Sequence, residues 1–293
     1  MINFHKLGYL DLNKLKAFTE SKNFWLHQYN PNWLFLWSDL YKPEIAFTNE
    51  YTFIRFLMPD VGICYYPPFG GPLERGLAII KDDAEENGFE LNIAPISEEY
   101  KFDFMKLGIK IFENEQFGSY ICQALDISIY SLSKFKKKKQ AVDDFRRTYK
   151  NGFIKMINKE EFPQILEFMN EYNAAINSES LNNEFFSQLN MIKVAMEHLY
   201  ELDILAYEVS NGQKIVGIII GTIMNNEACV HGLYVLPNVK GAEEELLSSF
   251  ARSVQVAVKY INLEADNGNK ALKKKIESYL PNRKEKYYAT FNL

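Results

Sequence analysis

The sequence has few of the features that identify a class of protein at sight. Its three cysteines, Cys64, Cys122 and Cys229, match neither a disulfide framework nor a zinc knuckle, which fits a reducing compartment. No stretch approaches the roughly twenty apolar residues that a transmembrane helix needs. The first residues, Met1 to Lys6, lack the apolar core of a secretion signal. We therefore expect a cytoplasmic protein that does not insert into a membrane.

Catalytic and cofactor motifs are equally scarce. The chain has no P-loop, no His-Glu-x-x-His, no Gly-x-Ser-x-Gly and no His or Cys at the spacing of metal ligands. The sequence therefore predicts no metal site and offers no evident ligand for a redox cofactor. In contrast, 47% of the 293 residues are hydrophobic, and the chain is long enough for two domains or one large one, with a core in each.

Charge is distributed unevenly in a chain whose net charge is −5. Residues 134–150 contain eight basic and two acidic residues, and residues 270–286 contain seven basic and two acidic residues. Concentrated basic stretches in an acidic protein indicate a localised anionic partner. A solvated helix face has the same composition, so the charge pattern leaves both interpretations open.

Hydrophobic periodicity and turn residues predict a mixed α/β chain. The two-residue signals Asn211-Gly212 and Asn225-Asn226 predict hairpin turns. Predicted helices span 11–21, 33–41, 72–87, 97–107, 134–149, 159–173, 182–202, 242–258 and 270–280. Predicted strands span 44–49, 51–58, 62–67, 90–94, 110–115, 118–130, 204–210, 214–223, 227–236, 259–264 and 287–291.

The order of these elements occurs twice: helix, antiparallel meander, helix, strand, helix, strand. This repetition predicts an internal duplication of architecture. We place the first domain at 1–131, a basic bridging helix at 132–150 and the second domain at 151–293.

The most informative stretch lies between 260 and 281. A short strand there carries Asn262, Glu264 and Asp266, turns at Gly268 and leads into a basic helix that ends before Pro281. The pattern resembles the C-terminal domain of phosphatidylglycerol lysyltransferases, in which an Asn, two acidic residues and a Gly precede a basic helix and Tyr-x-Pro. Further matches lie in family order: Trp37-x3-Tyr41-Lys42-Pro43, Ile54-Arg55-Phe56, Tyr66-Pro67-x2-Gly70, and the basic segment from Leu132 to Phe145.

This resemblance implies two tandem GNAT-type acyltransferase domains. It also implies transfer of an aminoacyl group from charged tRNA to an amine or hydroxyl acceptor. We expect Glu264 and Asp266, at i and i+2 of one strand, to share a pocket as base or ammonium-positioning group. His231 is a further candidate general base. The candidate substrate-binding residues are Asn262, Gly268, Lys273, Lys138, Lys139 and Tyr66.

Each of these assignments has a structural alternative. The two acidic residues can cap the following helix, and His231, flanked by apolar residues, can be a core histidine. The chain also departs from the family pattern in three places. It has Lys138-Lys139-Gln140 in place of Lys-Arg-Asn and His231-Gly232 in place of an acidic-Lys pair, and after the Asn-Gly turn it has Lys273 and Ile276 in place of Arg and Lys.

CoA is the cofactor that the GNAT-type fold leaves open. In the loop at 237–243, only Gly241 and Asn238 match the CoA pyrophosphate motif. Glu243 places a negative charge where the phosphate would lie. Two alternative functions remain: acyl-CoA-dependent N-acetyl transfer, and non-catalytic binding of an anionic ligand such as RNA, a lipid headgroup or a nucleotide. The sequence leaves the oligomeric state undetermined.

Overall fold

The computed structural model describes residues 2–22, 24–176 and 183–293. Within these ranges the strands are β1 (His5–Lys6), β2 (Glu44–Phe47), β3 (Tyr51–Met58), β4 (Gly62–Tyr65), β5 (Phe69–Gly70), β6 (Ile93–Ile96), β7 (Phe112–Glu113), β8 (Tyr120–Gln123), β9 (Phe153–Met156), β10 (Leu205–Ser210), β11 (Ile215–Met224), β12 (Glu227–Val235), β13 (Tyr260–Asn262), β14 (Arg283–Lys284) and β15 (Tyr288–Thr290). The helices in the same ranges are α1 (Leu12–Lys22), α2 (Pro31–Leu36), α3 (Ser38–Tyr41), α4 (Leu73–Asn87), α5 (Glu98–Lys106), α6 (Ala124–Ile129), α7 (Lys136–Thr148), α8 (Phe162–Ile176), α9 (Asn183–Glu197), α10 (Ala242–Val254) and α11 (Lys270–Glu277).

The strands form two mixed sheets. The first has the order β1-β2-β3-β4-β6-β15-β7, with β5 paired to β3, and the second has the order β14-β8-β13-β12-β11-β10-β9. Each sheet contains an antiparallel meander followed by a parallel neighbour: β4 pairs with β6 in the first and β12 with β13 in the second. A helix precedes each parallel strand, α4 before β6 and α10 before β13. The mixed α/β class and the duplicated order that the sequence predicts are therefore both present.

The chain forms two compact units that interleave along the sequence. One unit contains Met1–Ser119, Ala265–Asn269 and Lys284–Leu293, and the other contains Tyr120–Glu264 and Lys270–Arg283. The interleaving follows from two long-range pairings, since β15 joins β6 and β7 in the first sheet and β8 joins β13 in the second. The contiguous domains at 1–131 and 151–293 remain a prediction from the sequence. The contacts within the chain instead define the two interleaved units.

The core of the second unit contains apolar residues of both β11 and α10. Ile218, Ile219 and Ile220 of β11 are fully buried, and so are Leu246 and Phe250 of α10. The i, i+4 spacing of the two helical residues forms one apolar face. Burying each such side chain stabilises the fold by roughly 1.5–3 kcal/mol. This apolar face therefore holds α10 against the second sheet.

Several local predictions are wrong. The predicted strand at 118–130 ends at Gln123, and Ala124–Ile129 form α6, whose residues Ala124, Ile127 and Ser128 are buried. That spacing of buried residues is helical, but six residues are too few for periodicity to separate a helix from a strand. The predicted helix at 33–41 is divided at Trp37 between α2 and α3.

A further error is the omission of β9, which pairs antiparallel with β10 at the edge of the second sheet. The sequence of β9 does not alternate between apolar and polar residues as a half-buried strand does, and its Phe153 and Met156 are exposed. The hairpins at Asn211-Gly212 and Asn225-Asn226 are confirmed, because β10 pairs antiparallel with β11 and β11 pairs antiparallel with β12. Asn182, where a predicted helix begins, lies outside the described residues.

None of the helices formed by the described residues combines the length and the apolar content needed to cross a bilayer.

Candidate functional site

The second sheet opens between β12 and β13. Their parallel pairing consists of three residue pairs and stops at Cys229 and Asn262, although β12 continues to Val235. When two neighbouring strands separate within a sheet, a gap forms between them. Side chains from the two strands then face each other across this gap. The residues beyond Cys229 and Asn262 therefore form the candidate site.

A β-bulge lies in β12 at this opening. Ile220 pairs with Gly232 and Gly221 pairs with Val230, so His231 is the extra residue on β12. Gly221 permits the close approach that the bulge requires, because a Cβ there would lie 2.4 Å from the carbonyl oxygen of Cys229. The bulge thus sets the direction of the His231 side chain.

The imidazole of His231 has a partner at each nitrogen. Nδ1 lies 2.7 Å from Oε1 of Glu264, and Nε2 lies 2.7 Å from Oγ1 of Thr222. A carboxylate only accepts, so Nδ1 donates to Glu264, and in the neutral ring Nε2 accepts from the Thr222 hydroxyl. The His231 side chain is 0% exposed and that of Glu264 is 14% exposed. The carboxylate is therefore the solvent-facing end of this chain of groups.

Glu264 has a left-handed backbone, with φ at 58°. Such a conformation costs a non-glycine residue of order 1–3 kcal/mol unless the surroundings hold it. Here the Glu264 N–H donates to Oδ1 of Asn262 at 2.9 Å, and the Glu264 carbonyl accepts from the Tyr120 N–H at 2.9 Å. The left-handed turn is what carries the carboxylate across the opening to His231.

Asn262, a candidate substrate-binding residue, is fully buried at the end of β13. Its Nδ2 lies 3.3 Å from both carboxylate oxygens of Glu227, and Glu227 is itself 1% exposed at the start of β12. Asn262 therefore contacts protein groups on both sides of its amide. Sequence reasoning missed Glu227 and Thr222; an acidic residue opening an otherwise apolar strand was the available signal.

Asp266 and Gly268 belong to the first compact unit. The expectation that Glu264 and Asp266 face one pocket from a single strand is wrong in its premise, because β13 ends at Asn262. Oδ1 of Asp266 accepts from the Gly268 N–H at 2.9 Å, and Oδ2 lies 3.8 Å from Nζ of Lys284. Asp266 thus stabilises the turn before α11.

Tyr66 lies in the core of the first unit. It is 2% exposed, and its hydroxyl donates to the carbonyl of Gln28 at 2.8 Å. Burial raises the pKa of Tyr66 well above its ordinary value. The ring packs edge to face against Tyr29 and Phe56.

Two basic helices that are distant in sequence meet the first turn of α10. Lys138 of α7 is largely buried, with its ammonium 3.5 Å from the ring centroid of Tyr279 and 3.4 Å from Oε1 of Glu244. Burial lowers the pKa of Lys138, although Glu244 opposes that shift. Lys139 is exposed and Lys273 of α11 is half-buried.

The first turn of α10 carries three glutamates, each with a cationic partner. Glu243 contacts Lys275 at 2.6 Å and accepts from the Tyr279 hydroxyl at 2.7 Å. Glu244 contacts Lys138, and Glu245 accepts from Arg146 at 2.9 Å. Each glutamate at the start of this helix is thus paired with a cationic side chain of the same chain.

Gly241 closes the loop before α10 against α7. Its φ is 81°, and a Cβ there would lie 2.1 Å from the carbonyl oxygen of Ala141. Only glycine fits such a contact in a left-handed conformation. The loop that carries the CoA pyrophosphate in single GNAT-type domains is here packed against a helix.

The model of the family described as "Phosphatidylglycerol lysyltransferase, C-terminal" matches residues 25–290, most of the chain. The chain belongs to this family. The resemblance inferred from the Asn262-to-Pro281 segment and the N-terminal and central motifs is confirmed. No curated protein matches the sequence.

Solved structures agree on the fold of this lysyltransferase-family member. A conserved protein of unknown function from Bacteroides thetaiotaomicron has a TM-score of 0.92 at 21% identity, covering 100% of both chains. L-PGS from Bacillus licheniformis has a TM-score of 0.64 at 14% identity, covering 94% of this chain and 90% of that one. A tandem GNAT protein from the clavulanic acid biosynthesis pathway has a TM-score of 0.54 at 10% identity, covering 100% and 99%.

These likenesses confirm the tandem GNAT-type fold that the family resemblance implied. Family and fold together identify a GNAT-like transferase of aminoacyl or acyl groups. In the part of the chain that the structure describes, no group of three or more His, Cys, Asp or Glu side chains is arranged to hold a metal ion.

Proposed function

We propose that this lysyltransferase-family protein transfers an aminoacyl group from charged tRNA to an amine or hydroxyl acceptor, with Glu264 as the general base. The observation that carries the proposal is the pair of Glu264 and His231. The carboxylate is partly exposed at the opening between β12 and β13, whereas the imidazole behind it is fully enclosed. A substrate entering the opening meets the carboxylate first.

The reaction then needs few protein groups, because the aminoacyl ester is already activated. Glu264 takes a proton from the acceptor hydroxyl or amine as that group attacks the ester carbonyl. A new C–O or C–N bond forms, and the C–O bond to the terminal ribose of tRNA breaks. The proton held by Glu264 passes to the departing ribose oxygen. His231 does not contact the acceptor; its Nδ1–H keeps the carboxylate in place.

The start of α10 argues for an ester donor over an acyl-CoA. A pyrophosphate binds a helix start through free N–H groups and the positive end of the helix dipole. In this chain that turn carries Glu243, Glu244 and Glu245, and Gly241 packs against Ala141 of α7. Like charge and lack of space both oppose a pyrophosphate. The residues present do not fit CoA at this helix.

Basic residues near the same helix suit a phosphate backbone. Lys136, Lys137 and Lys139 of α7 are exposed, while Lys138 beside them is turned inward against Tyr279 and Glu244. Exposed lysines of this kind make sequence-independent, salt-dependent contacts to RNA phosphates. They are the residues that we expect to hold the tRNA.

The first test is a transfer assay with a labelled donor. Lysine is charged on tRNA, and phosphatidylglycerol vesicles serve as acceptor, because the family name specifies that group and that lipid. A panel of free amines and other aminoacyl-tRNAs follows. We expect label to move from tRNA to one acceptor in wild type and to remain on tRNA with Glu264→Gln.

Two other results would contradict the proposal. Turnover of an acyl-CoA thioester that depends on Glu264 would identify an acyl-CoA-dependent transferase. Saturable binding of charged tRNA, without transfer to any acceptor in the panel, would identify a binding module that performs no chemistry.

A further inference from the structure

Glu227 is a buried carboxylate to which the proposed mechanism assigns no role. It opens β12, directly after the Asn225-Asn226 turn, and is 1% exposed. Burying a carboxylate is costly unless hydrogen bonds satisfy it. Both of its oxygens lie 3.3 Å from Nδ2 of Asn262, and Oε1 lies 3.6 Å from Sγ of Cys229.

A carboxylate in this position determines which way the Asn262 amide points. The amide has a donor end and an acceptor end of nearly the same shape, whereas an ionised carboxylate only accepts. Glu227 therefore draws the NH2 group of Asn262 toward itself. The amide oxygen is left facing the Glu264 N–H, which donates to it at 2.9 Å.

The direction of that amide bears on the base. Glu264 is held in a left-handed conformation, with φ at 58°, and Asn262 is the partner of its N–H. If the amide were reversed, its NH2 group would face the Glu264 N–H, and two donors would oppose each other. The backbone would then relax, and the carboxylate would move away from Nδ1 of His231, now at 2.7 Å.

We propose that Glu227 is a positioning residue for Glu264 and acts through Asn262. The inference rests on the proposed role of Glu264 as general base. It assigns a function to Glu227, a buried residue at the opposite end of the β12–β13 pairing from the site, and changes Asn262 from a substrate-binding candidate to a connecting one.

The test reverses the polarity of the contact. Glu227→Gln and Asn262→Asp each disturb the donor and acceptor pairing, and the second places two carboxylates together. The double variant E227Q/N262D has the charge of wild type. It exchanges the carboxylate and the amide between the two positions, so the Glu264 N–H again has an acceptor. In it, the amide NH2 at position 227 donates to one carboxylate oxygen at position 262, while the other oxygen accepts from the Glu264 N–H.

We expect each single variant to lower kcat by about 100-fold, the effect of a small displacement of a catalytic group, with little change in KM. The double variant should recover most of the lost kcat and the wild-type pH profile. Cys229→Ala is the matched control, because the Cys229 thiol contacts the same carboxylate; its kcat should stay near that of wild type. Additive losses in the double variant, or singles with full kcat, would overturn the proposal.

A second readout does not depend on turnover. The Nδ1 proton of His231, shared with a carboxylate, gives a strongly downfield proton resonance. It should be present in wild type, weakened or absent in each single variant and restored in the double variant, with melting temperatures measured alongside. If wild type shows no transfer with any donor, the proposed function fails while this resonance still tests the positioning. A double variant that melts like wild type but lacks the resonance would refute the positioning alone.

Discussion

Nδ1 of His231 and Oε1 of Glu264 lie 2.7 Å apart although 33 residues separate them in sequence. One residue is a bulge in β12 and the other lies two residues beyond β13, where the two strands have parted. The histidine is enclosed and the carboxylate is partly exposed. In the mechanism that we propose, the carboxylate meets the substrate, and the histidine orients the carboxylate.

Glu264→Gln should abolish transfer without unfolding the protein. Glutamine keeps the shape and a hydrogen-bond acceptor for His231 but is not a base, so we expect a loss of 100-fold or more, about the contribution of general-base catalysis. The measurement is the rate of aminoacyl transfer at saturating donor. Glu277→Gln, an exposed glutamate on α11, is the control and should leave the rate unchanged. Equal rates for wild type and Glu264→Gln would show that the base lies elsewhere.

Lys136→Ala with Lys137→Ala should weaken binding of charged tRNA. The slope of log K against log salt concentration should become shallower by about one for each phosphate that α7 no longer binds. The measurement is a binding titration at several salt concentrations. A double variant of Lys81 and Lys110, exposed lysines of the first unit, removes the same charge elsewhere. If both double variants bind alike, α7 does not contact the tRNA.

Gly241→Ala should destabilise the fold more than Gly88→Ala. Both glycines are left-handed, at φ of 81° and 69°, so both variants lose about 1–2 kcal/mol from backbone strain. A Cβ at Gly241 also meets the Ala141 carbonyl at 2.1 Å, whereas one at Gly88 meets nothing within 4 Å. That clash should add about 1–3 kcal/mol. Denaturant unfolding measures the difference; equal losses would mean that α7 moves aside at no cost.

Glu208 and Glu161 should give opposite pH effects although both contact Lys155. Burial raises the pKa of Glu208 above 4.5, with Lys155 opposing the shift. Burial also acts to raise the pKa of Glu161, but hydrogen bonds from Lys155 and the Asn158 N–H outweigh it and lower that pKa below 4.5.

The sign of each effect follows from proton linkage. The folded protein holds the Glu208 proton more tightly than the unfolded chain, so Glu208 costs stability as pH rises through the interval above 4.5. Glu208→Gln should therefore gain stability relative to wild type across that rise. Glu161 contributes stability above 4.5 that is lost as pH falls through its lowered pKa, so Glu161→Gln should lose stability at neutral pH. Thermal unfolding between about pH 3 and 7 tests both; parallel curves for the two variants would contradict the assignment.

Sequence reasoning located the segment of the site but not its geometry. The Asn262-x-Glu264 spacing and His231 were all identified as candidates, yet the pairing of Glu264 with Asp266 rested on a strand that ends too early. Beyond that end, the Glu264 carbonyl accepts from the N–H of Tyr120 in β8. A residue so distant in sequence leaves no mark in the local pattern. Glu227 was missed because its partner Asn262 lies on another strand, although an acidic residue at the start of an apolar strand was a signal in the sequence.

Periodicity, turn residues and motif spacing by themselves determined most of the element order, the mixed α/β class, the duplicated architecture and the family. These properties depend on neighbours in the chain. Only the tertiary structure decided that β8 and β15 complete sheets far from their neighbours in sequence, that α7 and α11 meet the acidic turn of α10, and that His231 faces Glu264. Those outcomes depend on long-range strand pairing and on which charges are buried together, and no local propensity encodes either.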